Sequence, residues 1–372
     1  MLKIGITGQQ GFVGTHLYNT LGLHPEEFER IDFQRSFFEN EIHLDAFVSQ
    51  CDVIVHLAAM NRHNDPEVIY ATNVGLVTNL IASLERTGSK AHVIMSSSSQ
   101  EEKDNLYGKS KKEGREFLVQ WANNVNATFT GMVIPNVFGP FGHPYYNSVV
   151  ATFSHQIANG ETPQIQVDGD LKLIYVGELV AEILSKIRAR QNESIYLVSP
   201  TSEAKVSELL VLLQGYKAAY QDKGEIPTIK NTFELNLFNT FRCYMDIANH
   251  FPVKFVEHTD PRGSFVEVIR LGIGGQVSFS TTVPGITRGN HYHTRKIERF
   301  AVIKGKALIQ LRRIGTDEVL DFYLDGNEPA YVDMPIWYTH NIKNIGEEVL
   351  YTNFWINEFY DPNDPDTYFE NV

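Results

Sequence analysis

Cysteine is scarce: Cys51 and Cys243 are the only thiols in 372 residues, and they lie far apart in the chain. Two such residues cannot build a disulfide framework, so they read as buried thiols of a cytoplasmic protein. Cations are in deficit, with 32 Lys and Arg against 45 Asp and Glu and a formal net charge of -13. Nucleic acid is therefore not expected as the main partner, because phosphate binding needs an excess of Lys and Arg. One local basic pocket for an anionic small molecule remains compatible with that balance. There is no run of about 18 apolar residues, so no membrane span is expected. The first residues enter a strand pattern directly, without a charged leader and cleavable apolar stretch. No internal repeat or low-complexity tract is visible. With 42% hydrophobic and 21% charged residues, the composition is that of ordinary globular material, long enough for two domains.

The chain changes texture near residue 245. Before it, apolar runs at 2–7, 52–58, 91–96 and 129–134 read as buried parallel strands. Helical patterns lie between them, such as 67–86, closed by Gly88 as a C-cap. Strand and helix in alternation predict a parallel sheet covered on both faces. After residue 255, short runs rich in Val, Ile, Phe and Tyr follow one another at 265–271, 276–282, 300–303, 307–312, 319–324, 331–334 and 349–356. Gly, Pro, Asp and Asn punctuate them, which predicts a barrel or double-sheet jelly roll. The expected division is a domain at 1–245 and a second at 246–372, joined through 244–253. The acidic stretch from Asp361 is expected to lie on the surface or fray.

The first strand ends in Gly8-x-x-Gly11-x-x-Gly14, ahead of a helix. In that place Gly8 and Gly11 let the backbone approach a pyrophosphate at the helix N-terminus, and Gly14 permits tight helix–sheet packing. Beyond the second strand, Asp32 stands where an acid would take a ribose 2′-hydroxyl, while Arg35 would suit a 2′-phosphate. The two cues point to different dinucleotides. Tyr107 and Lys111, four apart at a helix start, share one face. An ammonium beside a phenol is expected to pull its pKa down and fit it for proton transfer. Ser96–Ser99 close a strand at the carboxyl edge of the sheet, where a hydroxyl can hold a carbonyl oxygen.

Together with His56-Leu57-Ala58-Ala59, Asn73 and Pro135-Asn136-Val137-Phe138-Gly139-Pro140, these motifs resemble the extended short-chain dehydrogenases/reductases that act on nucleotide sugars. The likeness covers residues 1–245 and implies a Rossmann-like, doubly wound α/β sheet. It also implies that Tyr107 is the acid/base, that Lys111 lowers its pKa and holds the nicotinamide ribose, and that a serine polarises the substrate oxygen. That serine falls on Ser98. The segment before Tyr107 is shorter than in most extended members, which leaves Ser97 and Ser99 open as well.

In the second half, Gly285-x5-His291-x-His293-x4-Glu298-x6-Gly305 is followed by Pro335-x4-His340-x3-Asn344. His291 and His293, two apart on a strand, point to one side. Glu298 is an odd step further, so a bend or bulge must bring it back to them. Three imidazoles and one carboxylate suit Zn, Fe, Mn or Ni, and without thiolates the metal type stays open. The spacing resembles the cupin superfamily, with Trp337 where a glycine is usual. That likeness implies an all-β jelly-roll barrel binding one divalent metal, zinc as first expectation. The segments at 259–265 and 287–291 are also similar to keto-deoxysugar epimerases, in which the residue matching His291 is a base rather than a ligand.

A reductase followed by a cupin resembles the bifunctional enzymes of capsule and O-antigen synthesis, the CapF type. The resemblance implies a UDP-linked 4-keto-6-deoxy amino sugar as substrate, NADPH rather than NADH as cofactor, a homodimer and a cytoplasmic site. The barrel would epimerise C3 of UDP-2-acetamido-2,6-dideoxy-β-L-arabino-4-hexulose. The reductase would then reduce C4, giving the L-talose product on the route to N-acetyl-L-fucosamine. Two rivals are a reductase of another substrate with a structural, dimerising cupin, and a sugar-nucleotide sensor without chemistry.

Overall fold

Apolar runs in the first half become strands because both of their faces are covered. The computed structural model describes residues 1–261 and 263–372; Arg262, inside the 259–265 segment noted above, lies outside them. The chain forms two compact units, Met1–Thr152 with Asp168–Val206, and Phe153–Val167 with Ser207–Val372.

The first unit runs β1 (Leu2–Thr7), α1 (Phe12–Leu21), β2 (Phe28–Ile31), α2 (Glu41–Val48), β3 (Val53–His56), α3 (Pro66–Thr87), β4 (His92–Ser98), α4 (Leu106–Val125) and β5 (Phe129–Ile134). It continues through β6 (Asn136–Phe138), α5 (Val149–Ala158, which crosses into the second unit), β7 (Asp170–Tyr175), α6 (Val176–Ala189), β8 (Glu193–Leu197) and β9 (Ser202–Lys205). The main sheet is parallel, in the order β2-β1-β3-β4-β5-β8, and β6, β7 and β9 form a small second sheet. Side chains alternate across the main sheet as a two-residue period requires. Ile4, Ile6, Val53 and Val55 pack with Leu17 of α1 and Ile183 of α6. Ile54, Val93 and Met95 pack on the other face with Phe47 of α2, Leu80 of α3 and Trp121 of α4. Strand order reverses between β1 and β3, and such a switch point opens a crevice at the carboxyl ends of the strands.

Helix α3 answers the expected 67–86 helix and its Gly88 cap. Asp65 caps its start, Pro66 occupies the first turn, and Gly88 ends it in the left-handed region at φ 64°. By length and composition α3 could cross a membrane. Its Val77, Leu80 and Leu84 are instead buried in the core of the first unit.

The second unit begins with helices α7 (Val206–Tyr216), α8 (Thr232–Arg242) and α9 (Ile247–His250), then β10 (Val253–Lys254), β11 (Glu257–Asp260) and β12 (Gly263–Val266). The remaining strands are β13 (Gln276–Thr282), β14 (Thr287–Tyr292), β15 (Glu298–Lys304), β16 (Lys306–Arg313), β17 (Val319–Asp325), β18 (Ala330–Met334), β19 (Tyr338–Asn344), β20 (Leu350–Ile356) and β21 (Tyr368–Phe369). Two antiparallel five-stranded sheets, β10-β18-β15-β20-β13 and β17-β16-β19-β14-β21, share one core that includes Phe300, Val302, Ile309, Leu311, Val332 and Ile342. This is the expected jelly-roll barrel.

One reading needs correction. The run at 265–271 is not one strand: β12 ends at Val266, and Leu271 makes an isolated bridge to Ile226. The change of texture near 245 separates helices from strands, and by packing the compact units part at Val206 and Ser207. A buried ionic network joins the helices between these points to the strands. Arg299 holds Asp333 through two bonds, Nε to Oδ1 at 2.7 Å and Nη2 to Oδ2 at 3.0 Å. Tyr220 donates to the same carboxylate at 2.6 Å, and Arg242 donates to Tyr220 Oη at 3.1 Å and to Met334 O at 3.1 Å. The segment ahead of residue 246 thus satisfies a buried charge on the face of β18 opposite Val332 and Met334. Of the two alternatives for the acidic stretch from Asp361, the surface one holds: most of it is exposed, but it is tied down, with Asp366 2% exposed and β21 paired with β14.

Candidate functional site

The turn after β1 needs its glycines for space. Gly8 lies at φ 79°, where a Cβ would sit 2.8 Å from Ala58 N, and a Cβ on Gly14 would sit 2.2 Å from Gly8 O. The backbone of the turn, closed by Gly11 N to Gly8 O at 2.9 Å, therefore stays bare at the start of α1. Asp32 follows β2, is exposed, and accepts from Tyr18 Oη at 2.9 Å. Arg35 opens a short 3-10 turn and is also exposed. Both stand beyond the second strand, as expected.

Tyr107 and Lys111 lie in the first turns of α4, whose N-cap Asn105 accepts from Gly108 N at 2.7 Å. A Cβ at 108 would meet Gln100 O at 2.0 Å, so the glycine after Tyr107 lets the helix start press against the loop from β4. Of the serine run, Ser96 donates to His56 O at 3.3 Å, and Ser97 donates to the Glu101 carboxylate. Ser98 ends β4, caps the next turn through Gln100 N at 3.2 Å, and its hydroxyl is near enough to the Tyr107 side chain to act on the pKa of that phenol. Asn73 of α3 ties this region together, bonding Met60 N at 2.7 Å, Met60 O at 3.0 Å and Ser110 Oγ at 3.1 Å.

The electrostatics differ from the sequence expectation in one respect. Burial raises the Tyr107 pKa, the nearby Ser98 hydroxyl opposes that and Tyr146 adds to it; Lys111 is not among the groups that shift it. A phenol so placed carries its proton at neutral pH and is set to donate it. Lys111 is buried, which drops its pKa to about 8, while Glu101 pulls it back up. His56 is buried too and falls to about 3, with Lys111 contributing. Beneath them, Arg115 grips Glu101 with Nε to Oε1 at 2.9 Å and Nη2 to Oε2 at 2.7 Å. Burial alone would raise Glu101; the Arg115 and Ser97 bonds overcome it and hold the carboxylate below its usual range.

In the second unit His291, His293, Glu298 and His340 converge, with their ligand atoms within 4.8 Å of one another. Glu298 gets there by a route the sequence did not suggest. It opens β15 in the opposite sheet, so the chain changes sheet after His293 instead of bending within one strand. His291 and His340 are paired across β14 and β19. Glu298 Oε2 lies 3.0 Å from His293 Nε2, 3.2 Å from His340 Nε2 and 4.0 Å from His291 Nε2. His340 Nε2 is buried with no hydrogen-bond partner, an atom that a metal would satisfy. Nδ1 of His293 faces Asp366 O at 2.5 Å and that of His340 faces Tyr338 O at 3.2 Å. A carbonyl only accepts, so both rings carry hydrogen on Nδ1 and turn Nε2 inward. Three imidazoles and one carboxylate on this plan fit a divalent ion.

Proximity also shapes the titration. Burial would raise Glu298, yet His293 and His340 hold it well below the usual carboxylate range. Burial would lower His293, and Glu298 outweighs that. His291 falls to about 4 through burial and then the neighbouring His340. Trp337, in the usual glycine place, sits at φ 62° in the left-handed region and stacks on Tyr292 at 5.7 Å. A tryptophan there is strained, which is the physical reason a glycine is the ordinary choice.

With these geometries in view, residues 4–198 match the NAD dependent epimerase/dehydratase family, and residues 258–368 match the polysaccharide biosynthesis C-terminal domain. The crystal structure of the capsular polysaccharide assembling protein CapF from Staphylococcus aureus superposes with TM-score 0.63 at 34% identity, over 99% of this chain and 100% of that one. This chain belongs to the CapF family. A family relative from Pseudomonas aeruginosa, named UDP-2-acetamido-2,6-beta-L-arabino-hexul-4-ose reductase, is 32% identical over 99% of this chain and 98% of its own length. The spore coat polysaccharide biosynthesis protein SpsL of Bacillus subtilis is 28% identical over 30% of this chain and 82% of its own length.

Four residues of the sites escaped the sequence reading. Gly108 was in plain view inside Tyr107–Lys111 and marks a close approach. Glu101 and Arg115 look like solvated charges, and Asp366 looks like one more acid in a polar tail; nothing in their spacing announces burial.

Proposed function

We propose that this CapF-family chain is a bifunctional nucleotide-sugar enzyme, with residues 1–245 carrying an NADPH-dependent reductase and residues 246–372 a metal-binding C3-epimerase. The Ser98 hydroxyl near Tyr107, with buried Lys111 one turn further along the same helix, is the observation that carries this reading. The substrate class is a UDP-linked 2-acetamido-2,6-dideoxy-4-hexulose, supported by the name of the Pseudomonas relative. The product is UDP-2-acetamido-2,6-dideoxy-β-L-talose, on the route to UDP-N-acetyl-L-fucosamine.

The glycine turn and Arg35 would hold NADPH, whose chemistry when bound would be the supply of a hydride for C4. Ser98 holds O4 and Tyr107 gives that oxygen its proton. Lys111 keeps a positive charge beside the phenol as it becomes phenolate. In the barrel, the C4 ketone acidifies the C3 hydrogen. A base removes it and a proton returns on the opposite face. A divalent ion held by His291, His293, Glu298 and His340, zinc as first choice, would supply fixed positive charge there. Reduction of C4 then locks the new C3 configuration.

The test is NADPH oxidation with a panel of UDP-4-keto-sugars, run beside C3 deuterium uptake in heavy water without nicotinamide. Oxidation with the 2-acetamido-2,6-dideoxy-4-hexulose and exchange before reduction are expected. Reduction without any exchange would leave a reductase with a structural barrel. Elemental analysis should find one divalent ion in the wild type and much less in His293→Ala; equal contents would refute the ligand set.

A further inference from the structure

The segment 361–372 touches the surroundings of three of the four cage residues. Asp366 is 2% exposed and sits at φ 40°, a backbone state that costs energy in any residue but glycine. Its carboxylate accepts Thr294 N at 3.0 Å, Thr294 Oγ1 at 2.6 Å, Arg295 N at 3.0 Å and Lys296 N at 3.1 Å. These donors form the turn that carries the chain from His293 in one sheet to Glu298 in the other. Its carbonyl takes the Nδ1 hydrogen of His293 at 2.5 Å. One residue thereby sets both the path of the ligand turn and the tautomer and tilt of a ligand ring.

The rest of the segment fastens the other two histidines. Phe369 pairs with His291, Tyr368 with Tyr292, and the Tyr368 ring stacks on Tyr292 at 5.4 Å. Glu370 N donates to Asn290 O at 3.1 Å, and Glu370 O accepts from the Thr339 hydroxyl, next to His340. Lys296 Nζ holds Pro365 O at 2.7 Å, and Arg312 holds Glu370 Oε1 at 2.9 Å. A surface tail would not require a buried acid in a left-handed conformation with four donors on its carboxylate. Such an arrangement persists only where something depends on it.

We infer that residues 361–370 are a strap that presets the metal cage, with Asp366 as the positioning residue acting through His293. This rests on the metal reading of the cage. Ligand histidines hold an ion well only when the second ring nitrogen is fixed, and loss of such a partner typically weakens metal affinity about 10–100-fold.

The test is a double-mutant cycle on the full chain, read as zinc affinity by competition with a chromogenic chelator. Asp366→Ala should weaken zinc about 10–100-fold in the wild type. In a His293→Ala background the further loss should be clearly smaller, because the ring that the Asp366 carbonyl orients is gone and only the turn to Glu298 is left to displace. Equal losses in both backgrounds, or no loss in the wild type, would overturn the proposal. Thr294→Val removes one of the four bonds and keeps the test open if Asp366→Ala does not fold. It should weaken zinc by a smaller factor, and by less again in the His293→Ala background, and a loss indifferent to His293 would overturn the proposal too. A wild type without zinc affinity would remove the metal reading itself and the strap with it. Zinc held equally by the wild type and every Asp366 and Thr294 variant would remove the strap alone.

Discussion

In the parallel-sheet unit, Ser98, Tyr107 and Lys111 come from one strand end and the helix that follows it, so a short stretch of chain supplies the chemistry. The barrel draws His291, Glu298 and His340 from β14, β15 and β19, and from both sheets. The first arrangement depends on burial to tune a cation and a phenol. The second depends on two sheets being held at a fixed separation. Local geometry therefore protects the first site, and long-range packing protects the second.

The largest expected effect breaks the packing side of that contrast. Arg299→Met leaves Asp333 buried with part of its charge unpaired, although Tyr220 and Arg242 remain near it. Breaking a buried pair in this way costs about 3–5 kcal/mol, here toward the lower figure, and lowers the denaturation midpoint of the barrel. Chemical denaturation followed by tryptophan fluorescence measures it; Trp355 is buried in this unit and Trp121 in the other. The exposed pair of Arg188 with Glu27 is the control, where loss should stay below about 1 kcal/mol.

Next comes the chemical contrast. Tyr107→Phe should lower NADPH turnover about a hundredfold or more and leave deuterium exchange at C3 intact. Near-normal turnover would remove Tyr107 from its role, and a parallel loss of exchange would mean that the two activities share a site. A smaller effect sharpens the electrostatic side. With its pKa near 8, Lys111 is cationic below that value and neutral above it. The reductase kcat/KM should therefore fall as pH rises through about 8. In Lys111→Arg, whose side chain stays charged, that basic limb should vanish if activity survives. The smallest effect concerns cofactor choice. Arg35→Ala should weaken NADPH by a few-fold, on the order of one exposed ionic contact, and leave NADH unchanged. Equal weakening of both would mean that Arg35 does not read the 2′-phosphate.

Much of the first unit was legible because its signals are periodic or local. The apolar runs at 2–7 and 129–134 became β1 and β5 with the same bounds, and Gly88 became the cap of α3. Gly8, Gly14, Tyr107 and Lys111 stand at spacings that a turn or a helix face converts directly into geometry. The barrel was legible as a class, yet the helices that pack with it were not, since Tyr220 and Arg242 read as ordinary helix residues while serving a charge on β18. The direction of the Tyr107 shift was misjudged for a similar reason: sequence gives the neighbour four residues away but not the depth at which both lie.

By itself, then, the sequence determined two folds, a glycine turn and two groups of chemistry-bearing residues, because alternation, helical period and glycine spacing act over a few residues. Tertiary structure decided the rest. It engaged Ser96 with His56 and Ser97 with Glu101 while placing Ser98 near Tyr107, and it brought Glu298 to the cage from the facing sheet. It also turned an acid in a polar tail into the buried anchor of a ligand turn. Burial and the meeting of distant strands set these outcomes, and both are properties of the packed chain rather than of any segment within it.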